Sequence, residues 1–221
     1  MSNNSEYIWY KLLKTKGVGP KTIHNIYNNY NSKAEENFEL NENIVNEFLN
    51  KNKKLLTNWE NIDDEVCFLE YEKIIKKDIK ILTLNSKNYP KIILNNLGTV
   101  AAPILFCGGK IDLLNNSSIA VVGSRNVCEN GIKFTKNISK QLSNSGFNII
   151  SGYAKGVDTI SHLSALENDG TTIFVLSYGI NDFRKKKEFS DLKLNDNSLI
   201  LSQFLPEANW SASNAMIRNK T

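Results

Sequence analysis

From Ser118 the chain alternates strand and helix with little between them: SIAVVGS, NGIKFTKNISKQLSNSG, FNIISG, KGVDTISHLSALENDG and TTIFVLSYG. The apolar strands IAVVG and IFVLS are near-continuous runs, the pattern of a parallel sheet covered on both faces by its crossover helices. No other feature restricts the fold so strongly. IKILTL and ILFCG are further strand candidates upstream, joined by a crossing segment, and SLILSQFL is one more downstream of a Lys-rich stretch.

The first part of the chain has a different texture. In YIWYKLLKTKGVGPKTIHNIYNNY the apolar residues Ile8, Leu12 and Leu13, then Ile23, Ile26 and Tyr27, recur at helical spacing on either side of KGVGP. Gly17 and Gly19 suit the positive backbone angles of a tight hairpin, and Pro20 suits the first turn of the second helix. Charged helical sequence continues to Asp78. The chain therefore divides into residues 1–78, a small all-helical domain, and residues 79–221, an α/β domain.

Composition sets outer limits. Hydrophobic residues make up 41% and charged residues 23% of 221 residues, ordinary values for a folded domain, and no apolar run reaches the roughly 20 residues that a bilayer span needs. The polar start MSNNSEYIWYKLLK has no signal-peptide core, so a cytoplasmic location is expected. Cys67, Cys107 and Cys128 have no paired spacing, which predicts no metal site and no disulfide framework. The net charge of +4 permits a polyanionic partner and requires none.

Parallel sheets bind ligands at the carboxyl ends of their strands. Two strand-to-helix junctions carry suitable chemistry. In AVVGSRNVCENG, Gly123 turns the backbone, Ser124 offers a hydroxyl and Arg125 a planar fork suited to phosphate. In IISGYAKGVD, Ser151 and Gly152 turn the chain, Gly156 permits close backbone approach and Lys155 adds positive charge. The plain alternative is that the glycines make tight turns and Arg125 is a solvated charge. Neither loop has the G-x-G-x-x-G spacing, and no G-x-x-x-x-G-K-[ST] occurs, so no dinucleotide or ATP cofactor is expected. His162 and His24 are solitary, and no nucleophile-and-base arrangement assembles around them. Asp158 reads as a cap for its turn or an ion-pair partner.

The succession NYP, API-LFCGG, SSIAVVGSR, SGYAKGVDTISHLSAL, GTTIFVLSYGI and RNK resembles the DprA/Smf family of DNA processing proteins. The resemblance implies a Rossmann-like domain preceded by a helix-hairpin-helix (SAM-like) domain. It further implies single-stranded DNA binding, a role in natural transformation, loading of a RecA-type recombinase, and no enzymatic activity. On that basis the expected DNA-contacting residues are Gly123, Ser124, Arg125, Ser151, Gly152, Lys155, Gly156, Arg218, Asn219 and Lys220. An accessory contact is expected at Gly17, Gly19 and Lys21 of the hairpin. The sequence departs from the family after VLSYGI, reading NDFRKKKEF, and has Gln203 where the family carries an acid. It stops at IRNKT, which implies an α/β domain incomplete at its C-terminus and a self-association surface lost. Two rivals stay open: a nucleotide-binding enzyme or sensor using Asp158 or Glu167 as its acid, and a degenerate fragment that binds nothing.

Overall fold

The computed structural model describes residues 4–31, 38–190, 194 and 196–218. It divides between Leu105 and Phe106 into two compact units, each treated by itself.

The first unit is built on capped helices. Asn4 caps α1 (Ser5–Lys14) by accepting from the Glu6 and Tyr7 amides. Asn41, Asn52 and Asp63 each accept from the amide three residues on, at the starts of α3 (Glu42–Leu49), α4 (Lys53–Glu60) and α5 (Asp64–Lys76). Part of the asparagine-rich composition thus has a structural use: a side-chain oxygen satisfies amides that a helix start leaves unpaired. α1 buries Ile8, Trp9, Tyr10 and Leu12, while α2 (Pro20–Asn31) buries Ile23 and Ile26. Of the two hairpin glycines only Gly17 has a positive φ, +87°; Gly19 does not need one. Residues 79–105 hold β1 (Lys80–Thr83), α6 (Lys91–Leu97) and the start of β2 (Ile104–Gly109). They join the helices through His24 Nε2, 2.9 Å from the Ala101 carbonyl, while Tyr89 Oη donates to the Ala102 carbonyl at 2.6 Å within the segment. The division therefore falls later than the change of texture at Asp78.

The second unit holds the parallel sheet. Within this unit the strand order is β2-β6-β5-β4-β3, with β3 (Ser118–Ala120), β4 (Asn148–Ser151), β5 (Thr172–Leu176) and β6 (Ser198–Ser202) parallel and β2 antiparallel to β6. Register pairs Ile119 with Ile149, Ile150 with Ile173 and Phe174 with Ile200. The expected Rossmann-like α/β architecture is present. α7 (Glu129–Asn144) and α8 (Val157–Leu166) make the crossovers, and α9 (Ala212–Arg218) follows β6. The α7–α8 contact rests on small residues: Thr135, Ser139 and Ser143 are buried, and Ser164 Oγ donates to the Lys136 carbonyl at 2.8 Å. One expectation fails. IAVVG reads as a strand covered on both faces, yet β3 ends the sheet, and among the described residues no strand pairs with its outer side; Ser118 and Ala120 are exposed.

Tyr153, Leu166, Phe174, Leu176 and Phe189 form the apolar core beside β5. His162 of α8 lies among them, fully buried, its ring centroid 4.2 Å from that of Phe174. Its Nδ1 is 2.6 Å from Thr172 Oγ1, and that hydroxyl donates its single proton to the Ile149 carbonyl at 2.7 Å. The Nδ1 atom must therefore carry the proton, and Nε2 is a bare acceptor with no partner among the described residues. Burial, reinforced by the charge of Lys186, lowers the pKa from 6.5 to about 3.

A stability dependence on acid follows. Below the ordinary histidine pKa the unfolded chain takes up a proton that the folded chain refuses, so stability falls as pH drops from about 6.5 toward about 3. The slope expected for one such group is about 1.4 kcal/mol per pH unit. Urea midpoints at pH 7 and pH 5 measure it. His162→Leu should flatten the dependence by that amount, and an unchanged pH dependence in the variant would rule out a buried neutral imidazole.

Candidate nucleic-acid interface

Because β3, β4, β5 and β6 run the same way, their carboxyl ends share one edge of the sheet, and the loops after β3 and β4 are neighbours there. Ser151 Oγ donates to the Val121 carbonyl at 2.6 Å and ties the two strand ends together. The hydroxyl of Ser151 is buried and committed to this bond.

The two glycines that flank α8 and β3 pack the loops against each other. A Cβ placed on Gly156 would collide with the backbone of Ser124 and Arg125, coming within 2.7 Å of the Arg125 Cα. Gly156 also has φ +85°, a conformation L side chains rarely adopt. A Cβ on Gly123 would come within 2.7 Å of Val157 Cγ2. The Val157 amide donates to the Ser124 carbonyl at 3.1 Å, closing the contact. The close approach expected at Gly156 is therefore an approach of one loop to the other.

Inside the 152–156 loop two of the backbone donors are taken by one carboxylate. Asp158 Oδ2 accepts from the Gly152 and Ala154 amides at 3.2 and 3.1 Å. Asp158 is 6% exposed and caps this turn, which leaves it badly placed as the catalytic acid of an enzyme. Glu167 sits just past the last residue of α8, at the opposite end of that ten-residue helix, about 15 Å along its axis. Ser124 Oγ is likewise engaged by its own loop, donating to the Asn126 carbonyl at 2.8 Å and accepting from the Asn126 amide at 3.1 Å.

What this edge offers to solvent is cationic side chains. Arg125 and Lys155 are both exposed, and neither has a hydrogen bond or ion pair among the described residues. The structure thus brings together Gly123, Ser124, Arg125, Ser151, Gly152, Lys155 and Gly156. Arg218 closes α9, while Asn219 and Lys220 lie outside the described residues. In the hairpin of the first unit, between Gly17 and Gly19, the Val18 amide donates to the Thr15 carbonyl at 3.0 Å and is committed within the turn. Lys14 is paired with Glu70, whereas Lys21 is exposed.

Two residues escaped sequence reasoning. Tyr153 adopts a left-handed backbone at φ +57°, although it is not glycine, a conformation retained only where the surroundings enforce it. Lys186 reaches it from the segment after β5: its Nζ donates to the carbonyls of Tyr153 and Ala154 at 2.8 and 3.1 Å and to Thr159 Oγ1 at 2.9 Å. Nothing in the run RKKKEF separates this lysine from its neighbours.

Fold and edge together define a Rossmann-like α/β protein with two interlocked glycine loops that present cations at the carboxyl ends of its strands. The chain belongs to the DNA recombination-mediator protein A family, whose model matches residues 80–221. It is 41% identical over 108 residues to DNA processing protein DprA of Streptococcus pneumoniae, covering 48% of this chain and 38% of that protein. Over 195 residues it is 28% identical to protein Smf of Synechocystis sp., covering 82% of this chain and 46% of that one. It spans less than half the length of these curated relatives. The crystal structure of DNA processing protein A from Streptococcus pneumoniae superimposes with a TM-score of 0.79 at 27% identity, over 100% of this chain and 74% of that chain. A second solved structure, of DNA processing protein A from Helicobacter pylori, concerns that protein's single-stranded DNA binding mode; it matches with a TM-score of 0.53 at 26% identity, over 64% of this chain and 63% of that one.

The interlocking of the loops is open to a direct check. Gly156→Ala combines a strained φ with a collision against backbone, and should cost about 1–3 kcal/mol or more. Gly19→Ala, in open space with an ordinary φ, serves as the control and should leave stability equal or slightly higher. Thermal melts of the two variants are expected to differ accordingly; equal melting temperatures would mean that the loops do not pack as described.

Proposed function

We propose that this chain binds single-stranded DNA along the carboxyl edge of its parallel sheet, with Arg125 and Lys155 neutralising successive phosphates. The observation that carries the reading is the pair of exposed, unpaired cations held on two loops that are locked to one another. Arg125 has the planar fork that matches a phosphate at two points, and Lys155 acts as a flexible point charge beside it. The Helicobacter pylori relative, reported for its single-stranded DNA binding mode, supports the same assignment. Membership of a recombination-mediator family and relatives named for DNA processing support the wider role. We therefore extend the proposal to handling of incoming single strands in natural transformation and their delivery to a RecA-type recombinase. The role is one of binding, since Asp158 is occupied as a cap and His162 is buried with a neutral ring.

Filter binding of a fluorescent oligo-dT tests the assignment. Single strands should be preferred over duplex with little sequence dependence, and log affinity should fall with log salt by about 0.7 per phosphate contact. Arg125→Ala should weaken binding by about 1.5–3 kcal/mol and lower that slope by about one contact, with the melting temperature kept. Arg125→Lys should restore part of the loss, and Lys155→Ala should act more weakly in the same direction. Calorimetry with AMP should give no binding. Arg125→Ala binding as tightly as the parent, with a lowered melting temperature, would make Arg125 a structural residue and sink the assignment.

A further inference from the structure

The segment FRKKKEF carries four consecutive cations, and the middle lysine behaves differently from the others. Arg184, Lys185 and Lys187 are exposed. Arg184 is turned onto its own loop, donating to the Asn181 and Phe183 carbonyls at 2.8 and 3.0 Å, and Lys185 Nζ donates to the Ser190 carbonyl at 2.8 Å. Lys186 instead runs inward beneath the 152–156 loop. All three of its donor positions are used, on the Tyr153 and Ala154 carbonyls and on Thr159 Oγ1. The ammonium lies 4.2 Å from the centroid of the Tyr153 ring. The Lys186 amide donates to Tyr153 Oη at 2.8 Å, and that hydroxyl donates to the Arg184 carbonyl at 3.0 Å.

The same short loop is gripped from its other polar side by Asp158, which takes the Gly152 and Ala154 amides. Two carbonyls go to a cation and two amides to an anion, so the loop backbone is held in both senses around Tyr153 in its left-handed conformation. Thr159 couples the two grips, since its hydroxyl donates to the Ala154 carbonyl at 2.6 Å while accepting from Lys186. Burial lowers the lysine pKa, and the charges of Glu188 and Asp158 act against that shift. The loop held in this way carries Lys155 and, through the Gly156 contact, sets the backbone position of Arg125.

We propose that Lys186 is a positioning residue, bracing the 152–156 loop from behind so that Arg125 and Lys155 keep a fixed relation to each other, without touching the DNA strand itself. The proposal rests on the single-stranded DNA reading. It separates Lys186 from its exposed neighbours in the basic run, which a count of charges would treat alike.

The test compares the parent chain, Lys186→Met, Thr159→Val and Arg125→Ala in oligo-dT binding across a salt series, together with amide hydrogen exchange. A brace that makes no phosphate contact should, when removed, weaken binding on the order of tenfold, because the loop must then be ordered on binding. The salt slope should stay at the parent value, whereas Arg125→Ala should lower it by about 0.7. Exchange of the 152–156 amides should speed up in Lys186→Met and, less so, in Thr159→Val. A slope lowered by about 0.7 in Lys186→Met would overturn the proposal by making Lys186 a phosphate contact. Unchanged affinity despite faster exchange would overturn it as well, leaving a stabilising residue only. Should Lys186→Met fail to fold, Thr159→Val gives the same two readouts, since it removes one of the three bonds with little change of volume. A parent chain that does not bind oligo-dT refutes the DNA reading and the positioning role with it; a binding parent with a normal slope confines any failure to Lys186.

Discussion

The carboxyl edge of the sheet depends on one contact, the seating of Gly156 against the backbone of Ser124 and Arg125. Adjacent parallel strands lie about 4.8 Å apart, so the loops leaving β3 and β4 are crowded from the outset. A side chain at either glycine would force them apart: Gly123 faces Val157, and Gly156 faces the other loop's main chain. With both glycines in place the Val157 amide reaches the Ser124 carbonyl, and Ser151 closes the strand ends below. The positions of Arg125 and Lys155 are consequences of this packing.

Charge under the loop follows the same economy. Asp158 and Lys186 are poorly hydrated, and a buried charge is tolerated only when hydrogen-bonded and balanced. Here the balance runs through the backbone of residues 152–154, whose amides face the carboxylate and whose carbonyls face the ammonium. The third titratable group nearby, His162, is neutral, because burial and the Lys186 charge both disfavour its protonation. A second cation there would have no acceptor to face.

The strand and helix order was readable in the sequence because apolar runs punctuated by glycine leave few alternatives: β4, β5, α7 and α8 fall where FNIISG, TTIFVLSYG and the intervening helical patterns put them. Three things were not. β3 has the composition of an interior strand but stands at the end of the sheet, and periodicity carries no information on neighbours. The compact units part after Leu105, although the family model begins at residue 80 and the texture changes at Asp78, because bonds such as His24 to Ala101 hold this neighbourhood to the helices. Within the site, the residue types and their loops were found, but the roles of Ser124, Ser151 and the glycines were read as ligand-facing. Ser151 meets its acceptor 30 residues away and Gly156 meets the neighbouring loop, contacts that local sequence does not reveal.

That last difference bears on the kind of ligand. An open nest of backbone amides at a helix start would seize a single phosphate and suit a mononucleotide. Here the amides of Gly152, Ala154 and Val157 already have protein acceptors, and two exposed cationic side chains, Arg125 and Lys155, stand on the two loops. Such cations gain little from one phosphate, whose charge stays hydrated and screened. They gain more from a strand, where each neutralised phosphate releases a condensed counterion and the favourable terms add along the chain. The small net charge of +4 is no obstacle to this. Two lysines of the first unit are held in internal pairs, Lys11 with Asp64 and Lys14 with Glu70, while Arg125 and Lys155 have no ion pair among the described residues. It is the distribution of the charge, and the rigidity of the loops that bear it, that suits this edge to a polymeric anion.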